Sequence, residues 1–389
     1  MINVSEIHNC YGCGVCTISC PKAIIDIRLD RNGFYSPVII NDDACIKCGL
    51  CLKVCAYYNK EDKQQDGNPE GYATWSLNPE IRRTSSSGGT GYEIASYLIK
   101  KGYTFCGVRY NAEKGIAEHY FSENDDCLKQ SAGSKYIQSY TIDSFKKLDF
   151  KNGKYAVIGT PCQIASLRRI ITRKHAEDRF VLIDFFCHGV PSMHLWNRYC
   201  DFVENKIGKI CNASWRNKQN GWHDSWAMSM QNTETEDKTN LHESINKRLY
   251  NSKMSQGDLF YKYFLGHHCL GFQCTSACRF KMSKSYADIR IGDLWGKTYE
   301  NEDKGVTGVL AITSRGKDII YQMSNIYKKH IQIDIVCEGQ MKTNAHAHPL
   351  RLLTLYLMRS RLPLTTIDKI VSIIEFPLKV FRKLHIMKY

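Results

Sequence analysis

Short apolar runs alternate with loops along this chain, and the loops carry most of its unusual residues. Near the start, Ala23–Arg28 (AIIDIR) and Phe34–Ile40 (FYSPVII) read as two short strands. The polar run Lys60–Glu70 (KEDKQQDGNPE) reads as a linker, and a second unit begins near Tyr72. The small-residue loop Ser85–Gly91 (SSSGGTG) opens a helix, YEIASYLIKKG, that stops at Gly102. A strand at Tyr103–Val108 follows. Two similar units come next. Tyr155–Ile158 (YAVI) enters Gly159-Thr160-Pro161-Cys162 and a helix over Gln163–Ile170. Phe180–Phe186 (FVLIDFF) enters Cys187-His188-Gly189-Val190-Pro191 and a helix from about Met193 to Val203. Strand–loop–helix units in series predict an α/β core with parallel pairing, whose ligand sites lie beyond the carboxyl ends of the strands.

Further along, the polar stretch 210–250, with Trp215, Trp222 and Trp226, reads as an excursion with hairpins. Ala287–Ile291 is a short strand entering Gly292-Asp293-Leu294-Trp295-Gly296. Val306–Thr313 is another strand, with a helix beyond it. From Arg351 the chain carries eight Lys/Arg and two acids among Leu, Ile and Phe at roughly helical spacing; Pro363 and Pro377 are expected to interrupt it. The expected fold is α+β. A ferredoxin-like module (1–62) precedes a mixed α/β cofactor-binding part (70–150 and 151–345) and a short basic helical tail (346–389).

The cysteines change the picture most. Cys10, Cys13, Cys16 and Cys20 are followed by Pro21, and Cys45, Cys48, Cys51 and Cys55 repeat that spacing. The pattern C-x2-C-x2-C-x3-C-P is the bacterial run for two [4Fe-4S] clusters, here with Ala56 in place of the second proline. The fourth cysteine of each run crosses to the other cluster. Cys10, Cys13, Cys16 and Cys55 are therefore expected to hold one cluster, and Cys45, Cys48, Cys51 and Cys20 the other. Cys162, Cys187, Cys269, Cys274 and Cys278 form a second set. Four of them from distant loops suit a third [4Fe-4S] cluster, with Cys162, Cys187, Cys274 and Cys278 the first choice and Cys269 the substitute; a zinc site or buried structural thiols are the alternatives. Cys106, Cys127, Cys200, Cys211 and Cys337 stand alone and read as small hydrophobes.

Composition narrows the class. The 389 residues are 43% hydrophobic and 24% charged, ordinary values for a folded chain, and no apolar run is long enough to span a bilayer. Eighteen cysteines with no secretory leader before the first of them fit a reducing, cytoplasmic setting and thiolate ligands better than disulfides. The formal charge of +14 falls once each cluster contributes about –2. A moderately basic protein suits an anionic cofactor or an acidic redox partner. The lysines are scattered and no base-reading motif is present, so nucleic acid is not an expected partner.

Several motifs together resemble the β subunit of coenzyme F420-reducing hydrogenases and dehydrogenases. They are SSSGG at Ser85–Gly89, SKYIQS at Ser134–Ser139, GTPCQI at Gly159–Ile164, FCHGVPS at Phe186–Ser192 and ADIRIGDLWG at Ala287–Gly296. The resemblance implies an FAD-binding iron–sulfur flavoprotein, with Cys162, Cys274 and Cys278 as cluster ligands and Cys187 as a fourth. The chain departs from the family's commoner C-x2-C by having C-x3-C at Cys274–Cys278. The resemblance also implies flavin contacts from Ser86, Ser87, Gly88 and Gly89 and from Ser134, Lys135 and Tyr136, with Thr160, Gln163 and Asp293 beside the cofactor. Tiny side chains permit close approach to a pyrophosphate, and the following helix N-terminus favours anions. Lys135 can pair with a phosphate or stabilise reduced flavin, and His188 can relay a proton or tune a cluster.

The expected function is an oxidoreductase that passes electrons between a ferredoxin-like partner, the clusters and FAD, and exchanges hydride with a small organic or sugar-linked substrate. Deazaflavin F420 is a further candidate cofactor. A non-catalytic electron-transfer subunit of a larger hydrogenase or dehydrogenase is the alternative. A homo-oligomer and contact of the basic tail with the inner membrane face are also compatible with the sequence.

Overall fold

The computed structural model describes residues 3–60, 68–232, 249–252 and 257–383. Most of the expected linker, at 61–67, and residues 233–248 of the polar excursion lie outside the described residues. Strands β1 (Ile25–Leu29) and β2 (Tyr35–Ile39) pair antiparallel from Ile25↔Ile39 to Leu29↔Tyr35, close to the predicted bounds. Each cysteine run ends in a short helix, Val15–Ser19 or Leu50–Lys53, entered through a left-handed glycine, Gly14 or Gly49. Gly12 shows why the first loop needs glycine. Its φ is +61°, and a Cβ there would sit 2.3 Å from the Tyr35 carbonyl oxygen.

The large sheet is built from β3 (Glu70–Ser76), β4 (Thr104–Asn111), β5 (Ile116–Ser122), β6 (Ser139–Tyr140), β7 (Tyr155–Ile158) and β8 (Phe180–Phe185), which precede a smaller sheet, and from three later strands. The smaller sheet comprises β9 (Ile210–Ser214), β10 (Ser229–Asn232) and β11 (Leu249–Asn251). The later strands are β12 (Ile289–Asp293), β13 (Thr307–Ala311) and β14 (Ile326–Ile331). The nine-stranded order is β14-β3-β13-β12-β8-β7-β4-β5-β6. It draws strands from both 70–150 and 151–345. The expected parallel core is its centre, β4-β7-β8-β12; β3, β13 and β14 add an antiparallel flank on one side, and β5 pairs antiparallel with β4 on the other.

Alternation along the buried strands feeds two cores. Val157, Phe180 and Leu182 pack under the helix Pro161–Arg173 through Ile164, Leu167, Ile170 and Ile171. Ala156, Val181 and Ile183 face the other side, with Ile94, Ala95 and Leu98 of the helix Thr90–Lys100. A third core gathers Trp196 and Tyr199 of the helix Met193–Ile207, the small sheet, and the tail helices Arg351–Arg359 and Leu364–Lys383. Pro363 immediately precedes the last helix. Pro377 lies inside it, so only one of the two prolines interrupts the tail.

The N-terminal module is held tightly against the rest. Ala56 N–H donates to Ser166 Oγ (3.1 Å), Gln138 Nε2 to the Tyr11 carbonyl (3.0 Å), Met193 N–H to the Gly33 carbonyl (2.8 Å), and Arg279 to the carbonyls of Ala56, Asn59 and Lys60. Because β7, β8 and β12 run parallel, the loops after them leave the sheet at one edge. Those loops bear Cys162, Cys187 and Leu294–Trp295.

Candidate metal centres and cofactor site

Among the described residues, cysteines line the following three hollows. The outermost, of about 360 Å³, carries Cys20, Cys45, Cys48 and Cys51. Cys48 is exposed, and Ile46 beside it is 58% exposed. A second hollow, also about 360 Å³, carries Cys10, Cys13, Cys16 and Cys55. Each combines three cysteines of one run with the last cysteine of the other, the grouping that crossed ligation requires.

The third hollow, about 540 Å³, lies at the carboxyl edge of the parallel strands. It is lined by Cys162, Cys187, Cys274 and Cys278. Cys162 comes from the helix start after β7, where Gln163 Oε1 accepts the Thr160 N–H (2.9 Å) and Thr160 Oγ1 lies 3.2 Å from Cys162 Sγ. Cys187 follows β8, and Lys281 Nζ donates to its carbonyl oxygen (2.8 Å). Val190 N–H points at Cys274 Sγ (3.4 Å), as backbone donors do toward bound thiolates. Gly189 makes room, since a Cβ there would lie 3.1 Å from Cys274 Cβ.

Burial pushes the thiol of Cys187 up to about 11 and that of Cys274 up to about 12. It raises Cys162 further, helped by Cys187, Cys274 and Cys13 nearby. Such thiols ionise together only if cationic metal compensates them, and metal binding then releases their protons. The donor set is all sulfur, half-buried and turned into one hollow, so it fits an iron–sulfur cluster.

Cys269 is not part of this set. It is fully buried in the third core among aromatic and aliphatic side chains, and burial pushes its thiol well up. The five-residue step to Cys274 carried it away from the hollow. Exchanging Cys269 for alanine is expected to leave iron at about 12 atoms per chain and to cost roughly 1 kcal/mol of stability, checked by iron assay and thermal melting. Loss of about four irons would place it among the ligands.

Tyr11 joins two of the hollows. It lines both the second and the third, and its hydroxyl donates to the Ala277 carbonyl (2.8 Å) in the cysteine-bearing loop. Its ring packs edge-on to Tyr57 and tilted against Phe280. Sequence reasoning missed Tyr11 and Gln138. Neither residue type signals such a role.

The SSSGG and SKY motifs do come together. Ser134 N–H donates to Ser86 Oγ (2.9 Å), and the two hydroxyl oxygens lie 3.2 Å apart. Ser87 Oγ donates to the Val306 carbonyl. Gly88 is needed for protein packing, since a Cβ there would lie 2.6 Å from the Thr74 carbonyl oxygen. Gly89, at φ +87°, starts the eleven-residue helix Thr90–Lys100 without a side-chain cap, so its first N–H groups suit an anionic ligand.

Lys135 corrects an expectation. Its ammonium, with three hydrogens to give, lies within hydrogen-bond distance of four carbonyl oxygens, those of Gln130, Ser131, Ala132 and Gly133 (2.8–3.3 Å). Burial pulls its pKa down to about 7. Four acceptors nevertheless favour the ammonium, because a neutral amine has only two hydrogens to give. The side chain holds its own loop and is spent there.

Asp293 is held at both carboxylate oxygens. Arg216 Nη1 donates to its Oδ2 (2.7 Å) and Trp222 Nε1 to its Oδ1 (2.9 Å). The Arg216 guanidinium lies beside the stacked Trp226 and Trp295 rings, 5.2 and 4.9 Å from their centroids, and Trp295 stacks on Trp222. Tyr136 stacks on Trp226 (5.0 Å) and contacts Phe264 (5.7 Å), whose ring meets His188 (5.1 Å). An aromatic path thus runs from the SKY segment to the residue after Cys187. Lys218, unmarked in sequence, donates to the carbonyls of Arg82, Ser87 and Lys304 and ties the SSSGG loop down.

His188 Nε2 lies 3.1 Å from His267 Nε2, and His267 Nδ1 lies 3.0 Å from the His346 carbonyl oxygen. The carbonyl can only accept, so His267 donates from Nδ1 and accepts from His188 at Nε2. Burial pushes His188 down to about 4, with His267 and Lys281 adding to the effect. Asp184, four residues before His188, has other partners. It is buried against Arg290 and Ser285.

A mixed α/β fold that brings two ferredoxin-type thiolate sets and a third all-sulfur set together defines an iron–sulfur electron-transfer protein. Residues 152–334 match the family that covers the C terminus of the coenzyme F420 hydrogenase/dehydrogenase beta subunit. Residues 9–59 match the 4Fe-4S dicluster domain. The chain thus places a region similar to that C-terminal domain behind a region similar to the dicluster domain. The coenzyme F420-dependent sulfite reductase of Methanocaldococcus jannaschii is 28% identical over 169 residues, which is 41% of this chain. The match spans about a quarter (25%) of that relative's length. A chain of the xenon-derivatised F420-reducing [NiFe] hydrogenase complex from Methanosarcina barkeri aligns with TM-score 0.47 and 15% identity, over 80% of this chain and 94% of that one.

Proposed function

We propose that this chain is an FAD- and iron–sulfur-dependent oxidoreductase that moves electrons between a ferredoxin-like partner and a small organic or sugar-linked substrate. The observation that carries it is the order of the three thiolate sets. One is exposed at Cys48, the next has no exposed cysteine, and the third shares Tyr11 with the second and lies at the carboxyl edge of the parallel strands. Cys20, Cys45, Cys48 and Cys51 would hold the cluster that meets the partner, at a face where Lys22, Lys47 and Lys53 suit an acidic protein. Cys10, Cys13, Cys16 and Cys55 would hold the second, and Cys162, Cys187, Cys274 and Cys278 the third. When bound, the clusters supply one-electron transfer and a flavin interconverts single electrons and a hydride pair.

For the flavin, the helix start at Gly89–Thr90 with Ser86 and Ser134 would take the anionic part, and Tyr136, Trp226 and Trp295 would wall the ring. His188 and His267 can move a proton toward the His346 side. Deazaflavin F420 remains a candidate because coenzyme F420 is named in the relatives.

The test is the composition of the full chain prepared anaerobically. About 12 iron atoms with matching sulfide, and about one FAD, are expected. Protein that holds about 12 iron atoms but neither contains nor rebinds flavin would remove the hydride step. That outcome would leave an electron-transfer subunit, a reading favoured by the large part of the M. jannaschii relative that lies outside the match. Co-purification with a catalytic partner, with no turnover by the chain alone, would establish that second reading.

A further inference from the structure

The two tail helices present an outward surface that the redox site does not use. On the helix Arg351–Arg359, Thr354, Leu355, Leu357 and Met358 face the core. The opposite stripe, at i, i+4 and i+7, is Leu352 (77% exposed), Tyr356 (64% exposed) and Arg359. On Leu364–Lys383, Leu364, Ile367 and Val371 join the core, and the opposite stripe is Thr365, Lys369, Ile373 (72% exposed) and Phe376 (67% exposed). Each stripe pairs two large apolar side chains with a cation, and exposed Arg361 lies between the helices. The helices pack against each other and on Met193–Ile207, so both stripes are carried on a fixed base.

Charge decides what this surface fits. The tail has two acids, and both turn inward: Asp368 pairs with Lys262, and Glu375 is buried with its Oε1 3.3 Å from His348 Nε2. Among its described residues, the outward surface of the tail therefore carries large apolar side chains, cations and Thr365 but no acid. The sequence continues with Lys379, Arg382, Lys383 and Lys388 and no further acid. Among the described residues no helix is long and apolar enough to cross a membrane.

We propose that this face lies on an anionic phospholipid surface, with Leu352, Tyr356, Ile373 and Phe376 entering the headgroup boundary and Arg359, Arg361 and Lys369 meeting lipid phosphates and carboxylates. Interfacial binding of this kind combines apolar insertion with attraction to anionic lipid. Each cation near such a surface contributes about fivefold to partitioning, so it weakens with salt.

The test is flotation of the anaerobically prepared full chain with vesicles of phosphatidylcholine alone or mixed with phosphatidylserine. Binding is expected only to the mixed vesicles, falling as salt rises. The triple variant Arg359→Glu, Arg361→Glu, Lys369→Glu is expected to lose at least about a hundredfold in partitioning. The pair Ile373→Asp, Phe376→Asp is expected to lose roughly tenfold or more. All these positions are exposed, and an unchanged iron content verifies that the variants fold. Equal binding to neutral vesicles, binding that survives both variants, or no binding by a chain that instead dimerises through these residues would each overturn the proposal.

Discussion

Replacing Cys162 with serine lowers iron from about 12 to about 8 atoms per chain and leaves the signature of the two ferredoxin-type clusters intact. The reason is geometric. Cys162 is one of four sulfurs lining the inner hollow, and it arrives on the helix after β7, a different element from those that carry the outer sets. The first two hollows are built from the two N-terminal cysteine runs, whose loops have their own glycine turns and the β1–β2 hairpin beneath them. Three thiols and a hydroxyl are a poorer set for iron than four thiolates. Iron and sulfide assays, with low-temperature EPR of the reduced protein, check this. Unchanged iron would remove the inner centre from the account, and loss of all 12 or so would mean that the three sets fold as one unit.

The cysteine chemistry was legible in the sequence because thiolate ligation imposes spacing. The two N-terminal runs set the groupings that the hollows display, crossing included. The strands at Tyr155–Ile158 and Phe180–Phe186 were legible as continuous apolar runs, as strands buried on both faces are. Of the antiparallel flank, β13 was legible as Val306–Thr313, but β3 and β14 were not. β14 reads IYKKHI, with alternation too polar to distinguish from a loop, and β3 follows directly on a polar segment. Side chains with several uses misled. Lys135 sits in a motif that suggested a phosphate, yet its long stem folds back onto carbonyls two to five residues earlier. Gly88 suggested ligand approach, but its missing Cβ admits Thr74 and Thr307. Residues that join distant segments, such as Tyr11, Gln138, Lys218 and Arg216, carry no local signal, because their partners lie far away in sequence.

Arg290 gives the second large effect. Its guanidinium grips Asp184 through two hydrogen bonds of 2.7 Å, with both side chains fully buried, and its Nη1 donates to the carbonyls of Phe280 and Met282. Asp184 also accepts from Ser285 Oγ (2.7 Å). The pair therefore pins the segment after Cys278 to β8, the strand that delivers Cys187. Arg290→Met strands a buried carboxylate and frees two carbonyls, at a cost of about 3–5 kcal/mol. For a chain of this length that is a fall of about 5 °C in melting midpoint. Asp184→Leu strands the cation instead and is expected to cost as much. The double variant Asp184→Leu, Arg290→Met removes both charges, and since a buried ion pair can often be exchanged for apolar side chains at little cost, it is expected to recover most of the stability. Iron separates the two roles of the pair. If it also fixes the cysteine loop, the double variant stays folded yet holds fewer than about 12 iron atoms, because Phe280 and Met282 are no longer tethered two and four residues beyond Cys278. Full iron in the stable double variant would reduce the pair to a core fastening and leave the loop positioned by Tyr11, Arg279 and Lys281 alone.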